Sequence, residues 1–273
     1  MPPHQSHSAN LFDPLDPVAL VGPGLLAGCE WLAETTSTMD RAREVAADPA
    51  WRLPCAVGAD RQLAGRGQRG ARWWQPPGSL AVSIVVAVDG GSSQPPPAWS
   101  LACGVAVAES IRELEPEIKP LVRWPNDVEV AGRKLAGILV EAAAGGRAIF
   151  GIGVNTTGSA ADAPAAIASR VATVPDLAGR SLPRQRLLEA LVPRLLALLA
   201  DVARDPAGLG ARYRPLCALT HQAVTVYVGD TELVGTCRGI ASDGRLIVDT
   251  PAGRRLVASG SLTPPAEVWR GEL

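Results

Sequence analysis

The chain has 273 residues, 47% of them apolar, and a formal net charge of −1. That is material for one large domain, or a main domain with a small companion, around a real core. Acidic and basic residues are interleaved, so no electrostatic footprint for nucleic acid stands out; the longest apolar runs, near 80–88 and 135–144, are too short to span a bilayer, and the first residues lack the basic start and apolar stretch of a signal peptide.

A soluble, cytoplasmic protein with neither a nucleic-acid nor a membrane partner is therefore expected. The five cysteines (Cys29, Cys55, Cys103, Cys217 and Cys237) are widely spaced and form no Cys-x-x-Cys pair. They read as small buried hydrophobes in a reducing compartment.

In chain order, residues 1–27 are rich in Pro, His, Ser and Gly without helical or strand period and are expected to form a loose arm. A short strand begins at Gly28-Cys-Glu-Trp-Leu, and Thr35-Thr-Ser-Thr38 supplies N-cap residues for a helix from Met39 to Ala47. Cys55 to Ala59 reads as a buried strand, Asp60 to Gly78 as a Gly/Arg/Gln-rich loop, and Ser79 to Val88 as a β-rich strand. A Gly/Ser/Pro loop over 89–97 leads to an Ala/Val-rich helix from Ala98 to Glu113.

Leu121 to Trp124 is a short strand, and Lys134 to Ala143 pairs with Arg147 to Val154 across Ala144-Gly-Gly146. Leucines at helical spacing mark a core-facing helix from Arg184 to Ala203. After Leu219 the pattern changes to short strands, Ala223–Val228, Glu232–Ile240, Arg245–Asp249 and Arg254–Ser259, separated by Gly-containing turns. The organisation is thus an α+β domain over 28–218 with a small β barrel over 219–265 and a tail over 266–273.

Three segments carry chemical suggestion. Gly65-Arg-Gly-Gln-Arg-Gly70 matches the dinucleotide-binding pattern in letters, but it runs into Ala-Arg-Trp-Trp-Gln-Pro-Pro, which cannot start the helix that fingerprint requires. What remains is either a solvated basic loop or a mobile one whose N–H groups approach an anion while Arg66, Arg69 and Arg72 neutralise it. In Arg123-Trp-Pro-Asn-Asp127, Pro125 keeps Trp124 extended and Asn126-Asp127 favours a turn. The tryptophan either stacks on a flat ring or is simply buried. Gly151-Ile-Gly-Val-Asn155 ends a strand with two glycines, marking close approach by a ligand or tight packing.

Of 26 basic side chains only Lys119 and Lys134 are lysines. Lys134 stands beside Arg133, so a lysine kept there suggests a site that needs a compact ammonium and not a planar guanidinium. His4 and His7 lie in the arm, leaving His221 as the one histidine expected to be ordered. A His-based metal site or Ser/His/Asp triad has nothing to be built from, and no P-loop is present.

In this order the motifs resemble those of the biotin–protein ligase family. The carrying segments are Ser37-Thr38 before a helix, Gln62 to Trp73, Arg123 to Asp127, Lys134-Leu-Ala-Gly-Ile-Leu139 and Gly151 to Asn155, with Gly235 to Ile240 and Asp243-Gly244 behind them. The resemblance covers about Leu32 to Leu262. It implies a mixed central β-sheet flanked by helices, the class II synthetase-like biotin–lipoate ligase fold, with a small SH3-like C-terminal barrel.

The implied activity has two steps: biotin carboxylate attacks the α-phosphorus of ATP to give biotinyl-5′-adenylate, and a carrier-domain lysine then takes the acyl group and releases AMP. By the same resemblance Lys134 binds the carboxylate and α-phosphate and Arg66 the phosphate. Gln62, Ser37 and Thr38 hold the ureido end of biotin, Trp124 and Asn126 lie near the adenine, and Gly137 and Asn155 lie against the ligand. Asp127 helps hold Mg²⁺ or orients the attacking amine. Lys134, Arg66 and Asp127 are the catalytic candidates, and Met39, Gly65, Gly67, Gln68, Arg69, Trp73 and Arg123 complete the binding set.

Mg²⁺ arrives with ATP and biotin is a substrate, so no metal site of the protein's own is expected. The partner is a biotin carboxyl carrier domain of a carboxylase, and the chain is a monomer or weak homodimer. Four positions depart from the family pattern: Gln68 and Ala71 stand where arginines are usual, Met39 where asparagine is, and Arg123 where lysine is. About thirty residues without helical period precede the first strand, which leaves no expectation of a winged-helix DNA-binding domain. Lipoate or octanoate ligation, or a paralogue that binds without turnover, are the competing readings.

Overall fold

Residues 13–88, 95–262 and 268–271 are described by the structure, a computed structural model. The expected loop over 89–94, the first twelve residues of the arm with His4 and His7, and 263–267 and 272–273 lie outside them. The catalytic-size domain runs β1 (Gly28–Thr35), α1 (Thr38–Ala47), β2 (Cys55–Gln62), β3 (Leu80–Ala87), α2 (Pro97–Leu114), β4 (Leu121–Arg123), β5 (Asp127–Val130), β6 (Arg133–Ala143) and β7 (Arg147–Val154). Short helices α3 (Ala165–Ala168) and α4 (Val174–Ala178) precede the long α5 (Arg184–Arg204) and α6 (Ala207–Tyr213).

Seven strands form one mixed sheet in the order β1-β2-β3-β7-β6-β5-β4. β1 and β2 are parallel and every other pair is antiparallel. The strand period of two divides β3 between two cores: Leu80, Val82, Ile84 and Val86 join the large core with α2 and α5, while Val85 joins Met39, Ala42 and Val45 of α1 on the opposite face. α2 is buried almost all round over Ser100–Ala108, as its run of small and apolar residues requires. Ser37 caps α1, its side chain accepting from the Met39 N–H.

The fold departs from the sequence expectation in three places. Residues 13–27 do not hang loose: Leu20 and Leu26 are 1% exposed, and Asp13 receives both the Arg184 backbone N–H and, through its carbonyl, the Arg184 guanidinium. Single apolar anchors in a Pro/Gly-rich stretch leave no period to detect. The turn at Asn126-Asp127 leads directly into the unforeseen β5, a strand too short to show alternation. α3, α4 and α6 were also not anticipated; none exceeds seven residues.

Arg184 is 1% exposed and pairs with Asp60 at 2.7 Å, stacked 5.4 Å from the Trp31 ring, whose indole N–H donates to the same carboxylate at 2.9 Å. An uncompensated buried charge is costly, so this pair positions β1, β2 and α5 relative to one another. The five cysteines are free thiols, three of them buried. No helix among the described residues is long and apolar enough to cross a membrane.

The C-terminal β domain is a four-stranded antiparallel sheet, β8 (Ala223–Val228), β9 (Thr231–Ile240), β10 (Leu246–Thr250) and β11 (Gly253–Val257), in the order β11-β10-β9-β8. Val224, Val226, Cys237, Leu246 and Val248 share the large core with α2, so the sheet is docked on the main domain. Trp124, itself 1% exposed, donates its indole N–H to the Gly244 carbonyl at 3.3 Å across that junction. Trp124→Phe removes the bond and part of the packing, and is expected to cost about 1–3 kcal/mol, read as a lower midpoint in urea unfolding.

Candidate functional site

A cavity of about 390 Å³ opens over the ends of β2, β5, β6 and β7. Ser37, Thr38, Met39, Gln62, Arg66, Gly67, Gln68, Arg69, Trp73, Arg123, Trp124, Asn126, Asp127, Lys134, Gly137 and Asn155 all line it. Gly65 opens instead on a neighbouring hollow between the Arg-Gly loop, the start of α2, β6 and residues 258–260. Residues more than a hundred positions apart in sequence are thus brought to one chamber.

One end is a polar knot. Gln62 Oε1 accepts from the Thr38 N–H at 2.9 Å and the Thr38 hydroxyl at 3.2 Å, and that hydroxyl accepts from Ser83 at 2.9 Å. Gln62 Nε2 donates to Gln75 Oε1 at 3.3 Å, and Gln75 donates in turn to the carbonyls of Asp60 and Ser79. These partners leave Gln62 one amide hydrogen with which to meet a carbonyl oxygen. Gln75 was not singled out from sequence; only its contacts disclose the role.

The middle is an apolar slot made by missing side chains. A Cβ at Gly153 would fall 2.4 Å from Trp73 Cε2, one at Gly151 2.6 Å from Met39 Sδ, and one at Gly137 3.0 Å from Lys134 Cε. The indole, the thioether and the lysine stem therefore lie directly on bare backbone of β6 and β7. The close approach read from Gly151-Ile-Gly-Val-Asn155 is real, and its immediate occupants are Met39 and Trp73. The Trp73 indole nitrogen is buried without a hydrogen-bond partner.

Charge gathers next to the slot. Lys134 Nζ lies 2.6 Å from Asp127 Oδ1 and 5.7 Å from the centre of the Trp73 ring. The two therefore form a close ion pair, with Lys134 as the partner of Oδ1. Glu129, paired in register with Lys134, is mostly buried; that burial pushes its carboxyl above the usual range, against the pull of Arg123 at 3.9 Å and with the push of Asp127. Arg66, half-exposed, reaches Asp40 of α1 at 2.9 Å. Arg69 sits in the left-handed region at φ 56° and donates to the Tyr227 carbonyl of the C-terminal sheet at 3.5 Å.

Two residues expected beside a flat ring are engaged elsewhere. Trp124 lines the cavity but is buried against the junction described above. Asn126 donates to the Ile138 carbonyl at 2.7 Å and accepts the Ile138 N–H at its own carbonyl, so it pins β6. Asn155 donates to the Ala172 carbonyl at 2.9 Å, while its buried Oδ1 has no partner and borders the chamber. Lining residues that sequence did not single out include Trp74, Glu129, Ile167, Val171, Val268 and Trp269; their separation along the chain and lack of motif hid them. Among the described residues no group of three or more His, Cys, Asp or Glu could hold a metal ion.

Residues 31–156 match the Biotin/lipoate A/B protein ligase family and residues 222–261 the Biotin protein ligase C terminal domain. The chain is 31% identical to a biotin–[acetyl-CoA-carboxylase] ligase of Paracoccus denitrificans over 88% of its length and 99% of the relative's. It is 32% identical to a biotin–[acetyl-CoA-carboxylase] ligase of Mycobacterium tuberculosis, over 91% and 95% respectively. A biotin protein ligase from Aquifex aeolicus, solved in complex with biotin and ATP, superposes with a TM-score of 0.73 at 25% identity, covering 85% of this chain and 96% of the other.

Proposed function

This chain is an enzyme of the biotin protein ligase family, and we propose that it attaches biotin to a lysine of a biotin carboxyl carrier domain, the acetyl-CoA-carboxylase type of acceptor, through biotinyl-5′-adenylate. The observation that carries this reading is the placement of Lys134: one ammonium between a polar knot suited to a small ureido ring and an arginine loop suited to phosphate.

In the first step a biotin carboxylate oxygen bonds to the α-phosphorus of ATP and the α–β bridging bond breaks, releasing pyrophosphate. Negative charge accumulates on the phosphate as this happens, and fixed cations lower the barrier most where water is excluded. Lys134 is assigned to the carboxylate and α-phosphate together. Arg66 must leave Asp40 to reach the phosphate, so anion binding and loop rearrangement are coupled. Asp127, a carboxylate lining the chamber beside Lys134, would help hold Mg²⁺ brought by ATP, and the ion would supply neutralisation of phosphate charge there. In the second step the carrier amine attacks the acyl carbon, the C–O bond of the mixed anhydride breaks, AMP leaves and the amine loses a proton.

Gln62 supplies the donor for the ureido carbonyl, held in the right amide orientation by Thr38 and Gln75. The test is pyrophosphate release and acyl-adenylate formation with Mg²⁺-ATP, offering biotin, lipoate and octanoate side by side. Activity with biotin alone supports the proposal; activity with lipoate or octanoate moves the chain to the sister chemistry; silence with all three leaves a non-catalytic binder. Gln68 lines the cavity where the family motif has arginine. Gln68→Arg is expected to slow release of the adenylate by about threefold to tenfold, the worth of one added charge-assisted contact near the surface; equal release rates in a filter-trap assay would remove the idea.

A further inference from the structure

Two cysteines that the sequence keeps apart meet where the C-terminal sheet joins the main domain. Cys217 closes the main domain: its backbone bridges to Val122 of β4, and the following N–H, of Ala218, donates to the Val122 carbonyl at 3.0 Å. Cys237 lies within β9, where its N–H donates to the Gln222 carbonyl and its carbonyl accepts the His221 N–H, both at 2.9 Å. The Gln222 N–H donates to the Leu219 carbonyl at 2.9 Å, so the connection folds back at once. Cys237 is thereby laid beside Cys217, and the two side chains hydrogen-bond.

The two sulfurs sit in different surroundings. Cys237 is buried and Cys217 half-buried. The Leu219 N–H donates to Cys217 Sγ at 3.4 Å and the Gly239 N–H to Cys237 Sγ at 3.3 Å. The hydrogen bond from Cys237 pulls the Cys217 thiol down to about 5, against its own burial, and the same bond with burial keeps the proton on Cys237. The other three cysteines are the opposite case: burial pushes Cys29 and Cys55 up to about 11 and raises Cys103 as well. A half-buried thiolate touching a buried thiol is the arrangement of an attacking and a resolving cysteine.

We propose that Cys217 and Cys237 are a redox-reactive dithiol, which hydrogen peroxide closes to a reversible disulfide across the junction of the main domain and the C-terminal sheet. The Cys217 thiolate attacks one peroxide oxygen; the O–O bond breaks, hydroxide leaves and is protonated to water, and the sulfur becomes a sulfenic acid. Cys237 gives up its proton and attacks that sulfur; the S–S bond forms, the S–O bond breaks and a second water leaves. The sulfur pair loses two electrons and the peroxide gains them. A dithiol reductant reverses the bond by exchange. The disulfide ties β9 to the segment bridged to Val122, whose neighbours Arg123 and Trp124 line the chamber. This site is independent of the ligase reading.

The experiment exposes the reduced full-length protein to hydrogen peroxide, then unfolds it, alkylates it with iodoacetamide and maps the peptides by mass spectrometry, before and after dithiothreitol. The expected map has one Cys217–Cys237 cross-linked peptide with Cys29, Cys55 and Cys103 alkylated, and dithiothreitol returns all five thiols. On the folded, reduced protein at neutral pH, iodoacetamide should reach Cys217 at least about tenfold faster than Cys29. In Cys237→Ser, dimedone should trap Cys217 as the sulfenic acid after peroxide, while Cys29→Ser should form the same cross-link as wild type. Five alkylated cysteines after peroxide, a cross-link joining another pair, or a Cys217 no faster than Cys29 overturns the proposal. The wild-type map and rates decide it even where a variant fails to fold.

Discussion

Lys134→Ala is expected to lower biotin-dependent pyrophosphate release by about 10²- to 10³-fold, the scale seen when one preorganised charge or donor is removed from a developing oxyanion. The loss should fall mainly on the chemical step. On the proposed assignment biotin should still bind at the polar knot of Thr38 and Gln62, whose hydrogen bonds do not involve Lys134. Part of the loss has a second source: Asp127 Oδ1, 2.6 Å from the lysine, becomes an unpaired carboxylate facing incoming phosphate.

The two sources can be separated. Adding Asp127→Asn to Lys134→Ala removes the repulsion without restoring the cation, so recovery beyond about tenfold would mean that repulsion dominated. Lys134→Arg should rescue poorly. The lysine tip rests on Gly137, where even a Cβ would come within 3.1 Å of Nζ, and a guanidinium fork needs more width than an ammonium. A Lys134→Ala enzyme retaining more than a tenth of wild-type pyrophosphate release would refute the assignment.

Why that lysine could be picked out before any coordinates is a matter of composition: in a chain whose cations are almost all arginine, a lysine beside Arg133 stands out. The longer elements were equally legible, because β6, β7, α2 and α5 each carry several periods of their apolar pattern. The residues named from motifs border the chamber, Gly65 excepted, but the direction in which each side chain points was not legible. Trp124 and Asn126 look like ligand contacts in one dimension. In three, both bind backbone, Trp124 at Gly244 and Asn126 at Ile138. Each is a long-range hydrogen bond with no local sequence trace. The same holds for Gln75 behind Gln62, and for Leu20 and Leu26, single anchors that hold an otherwise patternless arm. Periodicity reports which face is buried; it does not report what a polar side chain finds on arrival.

The glycine pair on β7 gives the other large effect, and the order within the pair is the informative part. Gly153→Ala puts a methyl 2.4–2.7 Å from three atoms of the Trp73 indole, and Gly151→Ala puts one 2.6 Å from the Met39 sulfur. The clashes are alike in distance and unlike in remedy. A thioether on three rotatable bonds can swing aside, whereas a rigid bicycle must move as a body, and the space open to it is the slot proposed for biotin. Gly153→Ala should therefore cost about 1–3 kcal/mol in biotin binding, roughly tenfold to a hundredfold in Kd by titration, with Gly151→Ala within about threefold of wild type. Shrinking the obstruction tests the cause: in the Gly153→Ala background, Trp73→Leu should recover part of the lost affinity even though the same change alone weakens binding. Such a sign reversal is what a shared steric contact produces in a double-mutant cycle. If the two changes simply add, the indole is not the group that the new methyl displaces, and the slot owes its shape to something other than the bare backbone of β7.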